Sequence, residues 1–287
     1  ATGARGVCRV AYATTAARAF VYEVTDDGTS HATTEPSWPT TVGNTVSDGT
    51  VTWTCRAPSD SSWDNASCLL PYILNYAASA GDTIYVDDGH SESTSMGGGV
   101  TFIIKGGSVD SLIYIYCVDK ADDSLSTGAV VNSPSYIMDF SGYGYSYGVK
   151  YSTSNNDIRL LSGTGISEWI LEGDNTDVLN LGGANEILVA QSATNPASLQ
   201  IKNGGIYIGH ASGSLECGLG GAFTWIGGTL SRGGANIANL FKSLGSPVSV
   251  VLDCVDLSAV GTGNLIAVSA SGSSRHIITR RCKLSGD

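Results

Sequence analysis

The chain has 287 residues, of which 42% are hydrophobic and 14% charged, and it contains 37 glycines. This composition excludes ordinary disorder, which requires low hydrophobicity and high net charge, and it is typical of an all-β chain with many turns. The formal net charge is -11. We therefore expect no nucleic-acid partner, because the one small basic group, residues 275–283, would neutralise few phosphates.

No apolar run is long enough to span a bilayer and no signal peptide is recognisable, so we expect no membrane insertion. The sequence begins without Met and stops directly after a strand-like run, which favours a segment of a longer protein. The seven cysteines lie at positions 8, 55, 68, 117, 217, 254 and 282. Their odd number excludes a complete set of disulfides, and several lie in apolar β runs, which favours buried free thiols in a reducing cytoplasm. A single disulfide, Cys8–Cys55, is the alternative.

Residues 1–57 are predicted to form a small N-terminal β module. Strands are expected at 7–10 and 19–24, and Asp48-Gly49 joins two short alternating strands, the strongest hairpin signal in the chain. Val51 and Trp53 share one face of the second of these strands. Trp38, between two prolines, is expected to pack over the hairpin. Sugar stacking is the alternative role for Trp38 and Trp53.

The motif EPSWP at 35–39, followed by TVSDGTVTWTC at 45–55, resembles a small β module of tailed-bacteriophage tail and fibre proteins. The resemblance covers about residues 20–56. It implies a virion setting and a docking role for this module, and it assigns no chemistry.

Residues 58–80 are predicted to be a linker followed by a capping helix. Apolar residues recur there at three- and four-residue steps, with Pro71 inside the stripe, so the helix is kinked or begins near Pro71. Gly81 is expected to stop it. The stripe consists of Ala66, Leu69, Leu70, Ile73, Leu74 and Ala77.

Residues 81–287 are predicted to form a parallel β-helix, in which short strands alternate with corners of small residues. A β-sandwich or jelly roll is the alternative, and it would favour longer, regularly alternating strands. The predicted strands are 83–86, 100–104, 112–118, 136–140, 158–161, 169–171, 178–181, 187–190, 199–201, 205–208, 223–226, 248–252, 265–268 and 276–279.

The run AASAGDTIYV at 77–86 resembles the entry into the right-handed β-helix of pectate-lyase-like proteins and phage tailspikes. This resemblance covers about 200 residues and implies a right-handed solenoid. Within it, the tract Ser141–Gly148 alternates Tyr with Gly and Ser, which places Tyr143, Tyr145 and Tyr147 on one face of an extended strand. Such a face suits an aromatic stack, a subunit contact or a glycan-binding strip.

A polysaccharide hydrolase requires two carboxylates at a defined separation, and a lyase requires an acidic calcium site with a nearby basic residue. The sequence shows no catalytic constellation of either kind, and it predicts no catalytic, cofactor-binding or metal-binding residues. The groups considered are Asp87/Asp88 with Glu92, Glu168 with Glu172, Asp174 with Asp177, Asp253 with Asp256, the bases Arg159 and Lys202, and His31, His90, His210 and His276.

We therefore expect a non-catalytic bacteriophage virion protein, a fibre, spike or decoration protein that stabilises the particle or attaches it to the host surface. Its expected partners are further copies of itself in a homotrimer, other virion proteins of capsid or tail, and host glycan. It would be assembled in the host cytoplasm. The alternatives are a tailspike depolymerase, and a carbohydrate-binding module that uses the tyrosine tract or Trp225.

Overall fold

The structure is a computed structural model that describes residues 21–26, 28–31, 36–41, 43–56, 70–76, 78–93, 102–134, 136–160, 166–190, 196–218, 220–234, 236–244, 248–266 and 275–284. The chain divides into two compact units, residues 1–77 and 78–287.

The first unit contains an antiparallel sheet of three strands in the order β1-β3-β2. The strands are β1 (Val21–Asp26), β2 (Thr45–Asp48) and β3 (Val51–Arg56). The predicted hairpin is confirmed, since Asp48 pairs with Val51 across the turn and Gly49 has a φ of 66°. A side chain at Gly49 would collide with the backbone of Thr29. The strand predicted at 7–10 lies outside the described residues.

The core of this unit is aromatic. Tyr22, Val51, Trp53 and Cys55 are buried, and Trp38 packs on them with its ring centroid 4.4 Å from that of Tyr22 and 5.7 Å from that of Trp53. The Tyr22 hydroxyl donates a hydrogen bond to the Pro39 carbonyl at 2.8 Å. Trp53 and Trp38 therefore serve the core, as predicted. Cys55 is a free thiol, and its alternative partner Cys8 lies outside the described residues.

A short helix, α1 (Leu70–Tyr76), follows with Pro71 as its second residue. Proline fits the first turn of a helix because no intrahelical acceptor awaits its missing N–H there. The helix ends at Tyr76, before Gly81. Gly81 belongs to the second unit, where its N–H donates to the Leu112 carbonyl. The predicted role of this helix as a cap stays a prediction.

The second unit is a solenoid of short strands, in agreement with the predicted β-helix. Its strands are β4 (Thr83–Asp87), β5 (Ser91–Ser93), β6 (Phe102–Lys105), β7 (Ile113–Val118), β8 (Val130–Ser133), β9 (Met138–Ser141), β10 (Tyr143–Tyr147), β11 (Lys150–Thr153), β12 (Ile158–Leu160), β13 (Ser167–Glu172), β14 (Asp177–Leu181), β15 (Glu186–Val189), β16 (Ala197–Lys202), β17 (Gly205–Ile208), β18 (Ser214–Cys217), β19 (Gly221–Ile226), β20 (Leu230–Arg232), β21 (Asn239–Leu244), β22 (Val248–Asp253), β23 (Asn264–Ile266) and β24 (Arg275–Arg280).

These strands form three parallel sheets. The first sheet has eight strands in the order β24-β22-β19-β16-β13-β10-β7-β4, the second runs from β20 to β5 and the third from β23 to β6. Each of about six full coils contributes one strand to each sheet. Within these coils, a strand pairs with the third strand after it along the chain, as β4 does with β7. The parallel pairing excludes the alternative of two facing antiparallel sheets in this unit.

Alternate side chains of each strand point into the solenoid and stack in columns. In the first sheet, Trp169, Leu199 and Phe223 occupy successive positions of one inward column, and all three are buried. Burying one such side chain contributes about 1.5–3 kcal/mol, so the columns are the main source of stability in this unit.

The corner between the first and second sheets repeats from coil to coil. The residue directly after the strand takes a left-handed backbone conformation in five coils, at Gly148, Asn203, Gly227, Cys254 and Arg281. The backbone hydrogen bonds continue around this corner, for example from the Asn203 N–H to the Ile226 carbonyl at 2.8 Å. Glycine and asparagine adopt this conformation at least cost, which agrees with the predicted small-residue corners.

Several observed strands were not predicted, because they are short or rich in polar residues. These are β5, β8, β11, β18, β20 and β21. In β5, β8 and β11 the outward positions include Ser, Asn and Lys, so hydrophobic alternation there is short or absent.

We predict that Gly144→Val destabilises the solenoid. A Cβ atom at Gly144 would lie 2.5 Å from the buried ring of Trp169 in the next coil, so the rigid indole would have to move. Overpacking of this kind costs about 1–3 kcal/mol, measured as the free energy of unfolding in denaturant. Gly89→Ala is the control, because a Cβ atom there makes only ordinary contacts, and a change within about 0.5 kcal/mol is expected. Equal unfolding free energies for Gly144→Val and Gly89→Ala would contradict the close packing of Gly144 against Trp169.

Candidate functional site

The first three coils place six tyrosines on the outer surface of the first sheet, and we call this surface the tyrosine face. Tyr145 and Tyr147 lie on β10 with Tyr143, in agreement with the prediction that the tract shares one face. The parallel register adds tyrosines from β4 and β7 to the same surface. The tyrosine face consists of Tyr85, Tyr114, Tyr116, Tyr143, Tyr145 and Tyr147.

Register places these tyrosines in columns that run from coil to coil. Tyr85, Tyr116 and Tyr147 occupy successive positions of one outward column, and Tyr114 and Tyr145 are neighbours in the next. Four of the rings, those of Tyr85, Tyr114, Tyr116 and Tyr145, lie close to one another along and between the columns. The ring centroids of Tyr85 and Tyr116 are 6.3 Å apart, and those of Tyr116 and Tyr145 are 5.6 Å apart. The centroids of Tyr114 and Tyr116 are 6.3 Å apart, and the planes of these two rings are nearly parallel, with an angle of 4° between them.

The inward residues of β10 explain why this strand alternates Tyr with Gly and Ser. Gly144 makes room for the Trp169 ring, whose indole N–H donates to the Ser141 carbonyl at 3.2 Å. Ser146 shares a buried hydrogen bond of 2.9 Å with the hydroxyl of Tyr151 on the second sheet. Strand β10 therefore carries small residues on its inner face, where neighbouring side chains need the space, and tyrosines on its outer face.

Carboxylates from the fourth coil border the tyrosine face. Glu168 and Glu172 continue its columns on β13, and the Tyr145 hydroxyl donates to the Glu172 carboxylate at 2.9 Å. Burial and the hydrogen bond to Glu172 raise the pKa of Tyr145, and burial, followed by the neighbouring Tyr114 and Tyr85, raises the pKa of Tyr116. Burial also raises the pKa of Tyr147, with Asp174 as the next cause. These three phenols stay protonated at neutral pH and remain hydrogen-bond donors.

The acidic group of the first coil is engaged in structural contacts. The Gly89 N–H donates to Asp87, and this bond and the Lys120 ammonium at 3.1 Å lower the pKa of that carboxyl. Asp88 accepts a hydrogen bond of 2.8 Å from the Ser126 hydroxyl. Glu92 points into the solenoid and is buried, with its carboxylate 3.2 Å from His90 Nε2.

The acidic residues of the middle coils differ in their surroundings. Glu168 and Glu172 share the outer face of β13 but are four residues apart, which places their Cα atoms about 13 Å apart. Asp174 is exposed, whereas Asp177 accepts hydrogen bonds from Ser231, and burial raises the pKa of Asp177.

The candidates at the C-terminal coil are held in ion pairs. Arg281 binds both oxygens of Asp253 at 2.9 Å, and Lys283 lies 3.1 Å from Asp256. The hydrogen bonds from Arg281 lower the pKa of Asp253. Those from Ser258, followed by Lys283, lower the pKa of Asp256.

The two basic candidates lie on different sheets. Arg159 on β12 forms a bidentate ion pair with Asp139 of the preceding coil, with N···O distances of 2.7 and 2.9 Å. Lys202 follows Glu172 in the outward column of the first sheet. Lys202 therefore neighbours one carboxylate of the border of the tyrosine face, whereas Arg159 is paired with Asp139.

The remaining histidines and Trp225 are also placed. The backbone N–H of His31 bonds Asp48, His210 Nδ1 accepts from the Ser212 N–H, and His276 is exposed on β24. Trp225 is fully buried and its indole N–H donates to the Gly204 carbonyl at 2.8 Å. The alternative in which Trp225 stacks on sugar is therefore wrong.

Over the described ranges, no three His, Cys, Asp or Glu side chains come together in a group that could hold a metal ion. None of the helical segments that the structure describes has the length and apolar character needed to cross a bilayer. Comparison of the chain with protein-family models, with curated proteins and with solved structures gave no match.

Half of the tyrosine face was predictable from the sequence. Residues 143–147 stand out because the alternation there is complete, whereas Tyr85, Tyr114 and Tyr116 lie in other strands and were not predicted to join that tract. The signal was present in the run Ile-Tyr-Ile-Tyr at 113–116, which has the same alternation. Using it required the register between coils, which only the structure supplies.

We predict that Ser146 and Tyr151 are energetically coupled. Ser146→Ala leaves the buried Tyr151 hydroxyl without this bond, and Tyr151→Phe does the same to Ser146, at a cost of about 1–3 kcal/mol each. The double variant should lose clearly less than the sum of the two, measured in a double-mutant cycle of unfolding free energies. Strictly additive losses would show that the hydrogen bond contributes nothing.

We predict that acid loosens the last coil. Because the folded-state pKa of Asp253 is depressed, its ion pair contributes stability above the unfolded value of about 3.9, and that stability is lost as the pH falls through the folded pKa. Hydrogen exchange of β24, referenced to β19, should therefore accelerate below about pH 4. Asp253→Asn should reduce this pH dependence, and an unchanged difference between the strands in the native protein would contradict it.

Proposed function

We propose that this chain is a non-catalytic structural and attachment protein of a tailed-bacteriophage virion. In this proposal the solenoid is right-handed, three copies assemble into a spike or fibre, and the N-terminal unit docks on capsid or tail proteins. The observation that carries the proposal is the stack of parallel coils, the first three of which bear the tyrosine face on their outer surface. The phage setting is supported by the resemblance of residues 35–55 to tail and fibre modules.

A stack of paired coils suits a mechanical role. Each coil contacts only its neighbours, and backbone hydrogen bonds join all of them, so such proteins are stable and resist unfolding kinetically. The described carboxylates that were candidates for hydrolysis are used largely in structural bonds, as Asp253 and Asp256 show. These contacts favour an attachment role over a depolymerase.

Immunogold electron microscopy of particles of the phage that encodes this chain tests the proposal. Antibody raised against the purified chain should label virions at one defined position, on the capsid, collar or tail tip. Sedimentation equilibrium of the purified protein should give three times the 29.6 kDa chain mass. Label confined to the soluble fraction would contradict the virion role, and a monomer would contradict the trimer.

The depolymerase alternative is tested on the same preparation. The protein is incubated with host capsule or lipopolysaccharide, and new reducing ends or unsaturated sugars are measured. We expect no product. Release of oligosaccharide would contradict a purely structural role.

A further inference from the structure

We propose that the tyrosine face binds a neutral oligosaccharide, which names the ligand class for the attachment role and rests on that proposed function. The described part of the first sheet has no other aromatic group of this extent on its outer surface. Tyr85 is 59% exposed, and the other five side chains are partly exposed, so the surface is accessible rather than internal packing.

The chemical groups of this face are complementary to those of a sugar. A tyrosine ring offers an apolar surface for the C–H face of a pyranose, and its hydroxyl offers a polar group at the same place. Tyr85 terminates the stack formed with Tyr116, so one of its ring faces has no stacking partner among the described rings. The hydroxyls of Tyr116 and Tyr147 are protonated at neutral pH, as tyrosine ordinarily is, and they can donate to sugar oxygens.

The bordering carboxylates supply acceptors. Tyr145 binds one oxygen of Glu172 and thereby orients the carboxylate on the outer face. Glu168 is exposed on the same strand. A carboxylate accepts several hydrogen bonds at once, which suits neighbouring sugar hydroxyls. The face and its border thus combine apolar contact, donors and acceptors within four coils, a width of roughly 14 Å at the usual strand spacing.

The charge of the border selects the occupant. Glu168, Glu172 and Asp174 would repel sialylated or uronic-acid glycans, because these three carboxylates outnumber the nearby cation Lys202, which follows Glu172 in the next coil. They also disfavour a second copy of the chain on this face, since pairing would bring the same carboxylates together in a chain of net charge -11. A neutral glycan meets neither penalty, and the trimer would form through other faces.

The test is a glycan array that carries neutral oligosaccharides and matched sialylated and uronic-acid oligosaccharides, with affinities of the bound glycans then measured by calorimetry. The native chain should bind neutral glycans in preference to acidic ones. Tyr85→Ala and Tyr116→Ala should each weaken binding about tenfold or more, equivalent to about 1.4 kcal/mol. Tyr207→Ala is the matched control, because Tyr207 lies on the outer face of the second sheet, and its affinity should equal that of the native chain.

The outcomes separate this inference from the proposed function. Absence of binding to every neutral glycan, preference for acidic glycans, or native affinity in Tyr85→Ala would each overturn the inference, whatever the immunogold result. A change in sedimentation mass on Tyr85→Ala would also overturn it, because the face would then be a contact between copies. Far-ultraviolet circular dichroism of each variant verifies that lost binding is not lost folding.

Discussion

Successive coils are joined by backbone hydrogen bonds between parallel strands, and this pairing determines which side chain stacks on which. Once the register is set, each inward residue has one neighbour above and one below, and their volumes must be complementary. Gly144 and Trp169 illustrate the requirement, since the missing side chain of one is filled by the ring of the other. The same register places outward residues in columns, so surface chemistry is organised by the packing of the interior.

The tyrosine face follows from this arrangement. Tyrosines at outward positions of three coils would be scattered in an unpaired chain, but the register between β4, β7 and β10 brings their rings within about 6 Å of one another. Ring contacts join Tyr85, Tyr116 and Tyr145 across the three coils, and burial raises the pKa of Tyr145 further above neutral pH. The fourth coil replaces tyrosine by Glu168 and Glu172, which gives the aromatic surface a negatively charged border.

The sequence predicted the class of fold well and the individual coils less well. Strands with strong apolar alternation, such as β13 and β22, were found because both their period and their flanking turns are clear. The polar strands β5 and β20 were missed, since three residues carry too little periodicity to distinguish a strand from a turn. The coils also differ in length, as the steps from Tyr116 to Tyr147 and from Lys202 to Ile226 show, so no fixed repeat was visible. The placement of Tyr85 beside Tyr116 depends on that variable step.

The repeated left-handed corner after the first sheet has a consequence for how such a chain can change. At Cys254 and Arg281 the corner tolerates residues other than glycine, with a modest backbone cost, while the hydrogen bonds on both sides are kept. The bend is therefore specified by its neighbours above and below more than by its own side chain. During evolution, corner residues can therefore change where a side chain has room but not at Gly148, where a side chain would collide with the Ser126 carbonyl, so sequence similarity can be lost at some bends while the architecture is kept.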